Sequence, residues 1–226
     1  MRWIERFLYR TTMMIGRAYM KLFFDVRLWG RENIPSGPKI YVHNHITAND
    51  PFCILPIIPD CVHVVVGPGY SIAPLAWLLD RFEQINAMPD HRATVVDRAV
   101  EYLEKGDAVY MAPEGDLQEL FQLGRFFPGV GKIYRRCPVP IIPIAVVAPK
   151  RHARDYKWLE NNVEGRVYRA YFMFRGTYCI NIGQPFYPEI RDTTDEKDDS
   201  ERITAQIKQR IQELVDEVRH DKFWLE

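Results

Sequence analysis

The chain has 226 residues, 47% of them apolar, and its 30 basic side chains balance 30 acidic ones. That length suits one domain with a substantial core. The composition excludes intrinsic disorder, which needs low hydrophobicity and high net charge, and a pI near 7.0 excludes an overall basic field for nucleic acid.

The first predicted element is a helix. From Arg2 to Phe24 no proline interrupts the chain. At 100° per residue, Arg2, Arg6, Arg10, Arg17 and Lys21 share an arc of about 100°, and Ile4, Phe7, Leu8, Met14, Ile15, Ala18 and Leu22 lie on the other side. Trp3, Tyr9, Tyr19 and Phe23 add aromatic weight. The pattern predicts that residues 1–25 form an amphipathic helix lying in a membrane interface, bases toward headgroups and apolar face in the acyl boundary. The alternative is a helix that docks its apolar face on the domain's own core. Residues 1–31 carry a net charge of +5, and residues 189–226 carry −5.

The longest uncharged run, Cys61–Leu79, is broken by Gly67-Pro68-Gly69 and Pro74, so no spanning helix is expected. Strands are predicted at Lys39–Val42, Val62–Val66, Gln84–Met88, Ala108–Ala112, Ile141–Val147 and Ala170–Ile182, the last as a hairpin around Arg175-Gly176. Helices are predicted at Pro51–Ile58, Ile72–Arg81, Thr94–Glu104 and Gly129–Arg136. The alternation implies an α/β fold with a largely parallel sheet flanked by helices over residues 26–190. Residues 191–226 read as an acidic loop, Asp192–Glu201, and a C-terminal helix packed on the same domain through Ile203, Ile207, Ile211, Leu214, Val215 and Val218. The cysteines, Cys53, Cys61, Cys137 and Cys179, form no C-x-x-C pair and no secretory leader is evident. Reduced thiols in a cytoplasmic compartment are expected.

The richest stretch for chemistry is Tyr41-Val42-His43-Asn44-His45-Ile46-Thr47-Ala48-Asn49-Asp50-Pro51. It follows a strand and precedes a helix, where α/β folds place their sites. If the chain turns into a helix at Asn49–Asp50, the Asp50 carboxylate reaches back to one nitrogen of His45 and leaves the other free as a general base. The plainer role for Asp50 is a helix N-cap before Pro51. Two more strand ends carry Pro113-Glu114-Gly115-Asp116 and Met88-Pro89-Asp90-His91-Arg92. No G-x-S-x-G nucleophile is present, and Ser36, Ser71 and Ser200 are the only serines.

In these motifs the sequence resembles the PlsC-like glycerolipid acyltransferases, the lysophosphatidate (1-acylglycerol-3-phosphate) acyltransferase superfamily. Asn44-His45-x4-Asp50 matches the family's first motif, Arg92 ends the second, Pro113-Glu114-Gly115 is the third, and Val139-Pro140-Ile141-Ile142-Pro143-Ile144 is the apolar fourth. The resemblance implies acyl transfer from a thioester, acyl-CoA or acyl carrier protein, to a lysolipid hydroxyl, in phospholipid biosynthesis or remodelling. His45 would be the base and Asp50 its orienter. Asn44, Thr47, Arg92, Glu114, Gly115 and Asp116 would bind substrate, with Arg92 on an acceptor phosphate. No cofactor and no metal is implied, and the partners are membrane lipids, the acceptor and the acyl donor, at the cytoplasmic face of a membrane. The family's third motif usually continues with threonine and arginine, whereas Asp116-Leu117-Gln118 stands here.

Two other classes are open at this stage. His43-x-His45 has a zinc-ligand spacing, although Thr47 and Ala48 break the longer hydrolase pattern. A non-catalytic lipid-binding protein would need only the amphipathic N-terminus.

Overall fold

The structure is a computed structural model that describes residues 3–117, 123–149, 154–163, 166–192 and 195–220. Arg2, Gln118 and the tail from residue 221, which the sequence reading had included, lie outside the described residues.

In chain order the elements are α1 (Trp3–Phe23), β1 (Phe24–Trp29), β2 (Lys39–His43), α2 (Asp50–Ile54), β3 (Val62–Val66), α3 (Ala73–Arg81), β4 (Ile85–Asn86), α4 (Val95–Glu104), β5 (Ala108–Met111), α5 (Gly129–Arg136), β6 (Ile141–Val147), β7 (Arg154–Val163), β8 (Arg166–Phe172), β9 (Gly176–Ile182) and α6 (Glu196–His220). A seven-stranded sheet runs β1-β9-β6-β2-β5-β3-β4. β6, β2, β5, β3 and β4 are parallel to one another, and β9 joins them antiparallel with β1 parallel to it.

The central strands are buried on both faces, which is why they read as unbroken apolar runs. Their period of two sorts them. Tyr41, Tyr110, Ile142, Ile144, Val146 and Tyr178 face a core that also holds Cys53, Ile54 and Leu55 beside α2. Ile40, Val42, Val109, Ile141 and Ala145 face a second core, filled by Leu103 of α4, Ile133 of α5, and Ile203, Ile207 and Ile211 of α6. α5 and α6 approach so closely that a Cβ on Gly131 would meet the Ser200 carbonyl oxygen at 2.1 Å.

Asp192–Glu201 is not a loop throughout, because α6 already begins at Glu196 and its first turns are pinned by Asp199, buried against Arg135 and Arg202. The hairpin differs too. The chain does turn near Arg175-Gly176, but Ala170–Ile182 is not one hairpin. β8 pairs with β7 in a separate two-stranded sheet, and β9 enters the main sheet between β6 and β1. The cause lies in burial on both faces of β9. Tyr178, Ile180 and Ile182 fill one core and Cys179 the other, and only an interior position satisfies both faces. β1 was hidden because its Phe-Asp-Val-Arg-Leu-Trp alternation directly follows a helix.

α1 packs on the body by its narrower side. It touches the body through Glu5, Tyr9 and Met20, which are buried. At Gly16 a Cβ would lie 2.9 Å from Pro56 Cγ. Tyr9 meets Phe82 edge to face at 5.6 Å, and Arg6 pairs with Asp107. The strongly apolar face points away. Trp3, Phe7, Met14, Ile15 and Leu22 are each at least 65% exposed. Docking of that face on the core is therefore not what the fold does. Among the described residues no helix is long and apolar enough to cross a membrane.

Candidate active site

All five parallel strands end on one edge of the sheet, and the first three motifs follow the ends of β2, β4 and β5, while the fourth runs into β6 itself. β2 leaves the sheet at His43, and seven residues later Asp50 opens α2 with Pro51 in its first turn. The helix N-cap position belongs to Asn49, not Asp50. Asn49 uses its Oδ1 to accept the Met173 N–H at 2.7 Å, and Ala48 N–H donates to the Tyr171 carbonyl at 2.8 Å. The loop is thus stitched to the end of β8.

Asn49 holds the N-cap position without a side-chain cap, and the Asp50 carboxylate turns back into its own loop. Oδ2 accepts from His45 Nδ1 at 2.7 Å, from Ile46 N–H at 2.8 Å and from Thr47 N–H at 3.1 Å. Oδ1 accepts from the Thr47 hydroxyl at 2.7 Å and from the Tyr178 hydroxyl at 2.5 Å. Burial by itself raises the carboxyl's pKa. The hydrogen bond and charge of His45, the charge of His43 and the Tyr178 hydroxyl reverse that and hold it below its ordinary value. An ionised carboxylate only accepts, so His45 Nδ1 carries the proton and Nε2 keeps its lone pair. Asp50 has no exposed side-chain surface while His45 keeps 24%. The imidazole is open and the carboxylate that holds it is sealed.

Glu114 supports His45 through its main chain. Its Oε2 accepts the His45 main-chain N–H at 2.5 Å and its Oε1 accepts the Gly124 N–H at 2.6 Å. Burial pushes this carboxyl's pKa up, against the two N–H groups that lower it. The turn that delivers Glu114 requires Gly115, whose φ is +65°. Phe127 closes the turn by donating its N–H to the Pro113 carbonyl at 2.8 Å, with its ring beside Gly115. Asp116 is half-buried and accepts the Leu117 N–H at 2.8 Å. Arg125 lies over the Phe127 ring, 5.7 Å from its centroid.

Asn44 is committed to the scaffold. Its amide donates to the Val146 carbonyl at 2.9 Å and accepts the Val146 N–H at 2.7 Å, which locks the end of β2 to β6. Thr47 is buried and belongs to the carboxylate's shell. Arg92 is exposed in the turn after β4. It shares the edge with His45, but β4 lies three strands from β2, about 14 Å at the usual strand spacing. The structure therefore joins Asn44, His45, Thr47, Asp50 and Glu114 directly, sets Gly115 and Asp116 on the adjoining turn, and keeps Arg92 at a distance that a ligand has to span.

Two participants escaped sequence reasoning. Tyr178 lies 128 positions from Asp50, and only its place in an alternating strand hinted at burial. His43 stacks on Tyr110 at 4.6 Å, meets the His45 ring edge-on at 5.6 Å, and donates Nδ1–H to the Asn44 carbonyl at 2.7 Å. Burial pushes its pKa down to about 4, so it is neutral at physiological pH.

His43, His45 and Asp50 have potential ligand atoms within 4.8 Å of one another. They do not fit a metal. Both Asp50 oxygens already face N–H and O–H hydrogens, and His45 Nδ1 is spent on the same carboxylate.

The fold therefore sets an imidazole–carboxylate pair at the carboxyl edge of a mixed, mostly parallel α/β sheet. The chain belongs to the acyltransferase family, which matches residues 25–147. It is similar to the chloroplastic 1-acyl-sn-glycerol-3-phosphate acyltransferases BAT2 of Brassica napus and LPAT1 of Arabidopsis thaliana, 25% identical to each over 130 residues. Those stretches cover 55% of this chain and 38% and 36% of the relatives, so the match spans little more than a third of their length. In fold it resembles the crystal structure of the 1-acyl-sn-glycerophosphate acyltransferase PlsC from Thermotoga maritima, with a TM-score of 0.67 at 22% identity over 95% of this chain and 83% of that one.

Proposed function

We propose that this chain transfers a fatty acyl group from an acyl thioester, on coenzyme A or an acyl carrier protein, to a hydroxyl of a lysolipid, with 1-acylglycerol-3-phosphate as the leading acceptor. The observation that carries this reading is the His45–Asp50 pair, buried on the carboxylate side and open on the imidazole side.

His45 Nε2 takes the proton of the acceptor hydroxyl as its oxygen attacks the thioester carbonyl carbon. The new C–O bond forms while the carbonyl π electrons move to oxygen. Collapse of that tetrahedral species breaks the C–S bond, and the thiolate leaves with the proton returned by the imidazolium. Asp50 stabilises that imidazolium in the interval. No acyl-enzyme is needed. Two of the three serines are engaged elsewhere, Ser71 donating to the Pro68 carbonyl and Ser200 to the Glu196 carbonyl inside α6. Arg92 serves the acceptor phosphate as a fork-shaped donor. Glu114 acts through the His45 backbone.

The reading extends to the membrane. α1 is the membrane-associating helix, β1 to β9 with their helices form the acyltransferase body, and α6 packs on that body. The outward apolar face of α1 lies in the cytoplasmic surface of a bilayer, where the acceptor resides. Phe52 and Phe174, 53% and 54% exposed, stand beside α1. The Phe52 carbonyl abuts Gly16, and the Phe174 carbonyl accepts the Tyr19 hydroxyl at 3.1 Å.

The test is incubation of the chain with labelled acyl-CoA or acyl carrier protein and vesicles bearing single lysolipids, with products identified by mass. His45→Ala is the control. General-base catalysis contributes ~10²–10⁴-fold, so residual transfer above about a tenth of wild type would remove His45 from its role.

A further inference from the structure

Asp50 is held by more than its own loop. Tyr178, at the middle of β9, donates its hydroxyl to Asp50 Oδ1 at 2.5 Å. The side chain has no exposure. Phe24 of β1 meets its ring edge to face at 6.2 Å and fixes its position. β9 reaches the site only because it inserts between β6 and β1. We infer that Tyr178 is a positioning residue, whose hydroxyl fixes the Asp50 carboxylate and tempers its charge toward His45.

The physical case rests on charge sharing. A carboxylate that accepts an O–H donor on Oδ1 presents less negative charge to an imidazole on Oδ2. The tyrosine is the donor, because burial and the neighbouring Asp50 charge push its pKa well above the ordinary value while Asp50 is held low. The other titratable groups around Asp50 are His43 and His45 from the end of β2, Cys53 of α2, Tyr110 of β5 and Glu114 beyond it. None of them donates a hydrogen bond to Oδ1. Thr47 does, but it belongs to the same loop as Asp50 and moves with it. Tyr178 is therefore the tie between the carboxylate and the sheet.

The role rests on the acyl-transfer reading only for its kinetic arm. The first measurement is histidine NMR titration of His45 in the full chain without substrate. Tyr178→Phe keeps the ring and removes the donor. The His45 pKa should then rise by about half a unit or more, as Asp50 turns its full charge on the imidazole. Incorporation of 3-fluorotyrosine at position 178 makes the hydroxyl a stronger donor and should move it down. In the kinetic arm, Tyr178→Phe shifts the acid limb of the pH–rate profile upward and lowers kcat roughly threefold to tenfold, with KM for both substrates unchanged, because the residue touches neither.

Identical His45 titration in wild type and Tyr178→Phe overturns the inference, whatever happens to activity. If Tyr178→Phe does not fold, the fluorotyrosine chain decides alone, and an unmoved His45 pKa overturns it. Absence of transfer by wild type on every lysolipid overturns the proposed function, while the NMR arm still decides Tyr178.

Discussion

Glu114 accepts the main-chain N–H of His45, so the Pro-Glu-Gly turn after β5 sets where that histidine stands. The same carboxylate holds Gly124, so one buried side chain joins three segments. Such an acceptor-only group cannot be replaced by a neutral amide, because glutamine would point an NH2 at one of the two N–H donors.

Glu114→Gln is accordingly expected to lower kcat by about tenfold or more, as a displaced base would, with the acceptor KM little changed. Glu114→Ala should in addition destabilise the chain by roughly 3 kcal/mol, the order for orphaning two N–H groups paired to a buried charge. Steady-state kinetics and denaturant unfolding check both. A rise confined to the acceptor KM would show that Glu114 binds substrate directly, the role that the family resemblance assigns it.

His43 predicts a pH dependence of stability. Its folded pKa is lowered from 6.5 to about 4, so the unfolded chain binds a proton that the folded chain refuses. Stability is full above about pH 6.5 and falls as pH drops toward 4, by roughly 3 kcal/mol across that window at 1.36 kcal/mol per unit. Glu114 opposes this near the lower end, since its raised pKa lets the folded state take up a proton earlier. The comparison is therefore with His43→Gln, which keeps a donor near the Asn44 carbonyl and does not titrate. Unfolding free energies of the two proteins at pH 7 and pH 5 should diverge in favour of the variant at pH 5. Parallel curves would remove His43 as the cause.

Membrane binding is best tested by point changes, because deleting residues 1–24 would also strip Tyr9 and Met20 from the core. Phe7, Ile15 and Leu22 are 65%, 66% and 77% exposed. Replacing all three with serine should leave stability nearly unchanged yet weaken vesicle binding by about a hundredfold or more, given ~1.5–3 kcal/mol for each large apolar side chain buried in an apolar phase. The salt-sensitive part should rest on Arg10 and Lys21, both exposed, at roughly 1 kcal/mol each on an anionic surface. Vesicle sedimentation at low and high salt reads both parts. Unchanged sedimentation of the triple variant would show that this face serves something other than a bilayer.

The α/β order and the positions of the four motifs were legible because both are local. A run of Val and Ile between turn residues marks a strand, and His-x4-Asp needs only one loop to close. Partners across the chain were not legible. Alternation announced that β9 has two faces but not that it parts from β8, since a period of two specifies a face and never a neighbour. Asn44 looked like a substrate ligand because its clamp, Val146, lies 102 residues away. For α1 the periodicity identified an apolar face but not the stripe that holds the helix to the body. That stripe of Glu5, Tyr9, Gly16 and Met20 is chemically mixed, and it packs through the close approach at Gly16 as well as through Tyr9 and Met20 in the core.

The last prediction concerns the acceptor. Asp116 follows Pro113-Glu114-Gly115 on the turn beside the base, where the family resemblance leads one to expect threonine and then arginine. Its carboxylate accepts the Leu117 N–H, while Arg125 sits over the Phe127 ring. A fixed negative charge beside a phosphomonoester is repulsive, by about 1 kcal/mol at 4 Å in water and several times that at a partly buried site. An acceptor whose headgroup is neutral or carries a cation does not meet this penalty. Asp116→Thr is therefore expected to raise kcat/KM for lysophosphatidate relative to lysophosphatidylethanolamine or lysophosphatidylcholine, by roughly fivefold for 1 kcal/mol of repulsion removed. Competition between these lysolipids in one mixed vesicle, with products resolved by mass, measures the ratio directly. A wild type that already prefers lysophosphatidate, with the ratio unmoved in Asp116→Thr, would show that the carboxylate serves only its own turn.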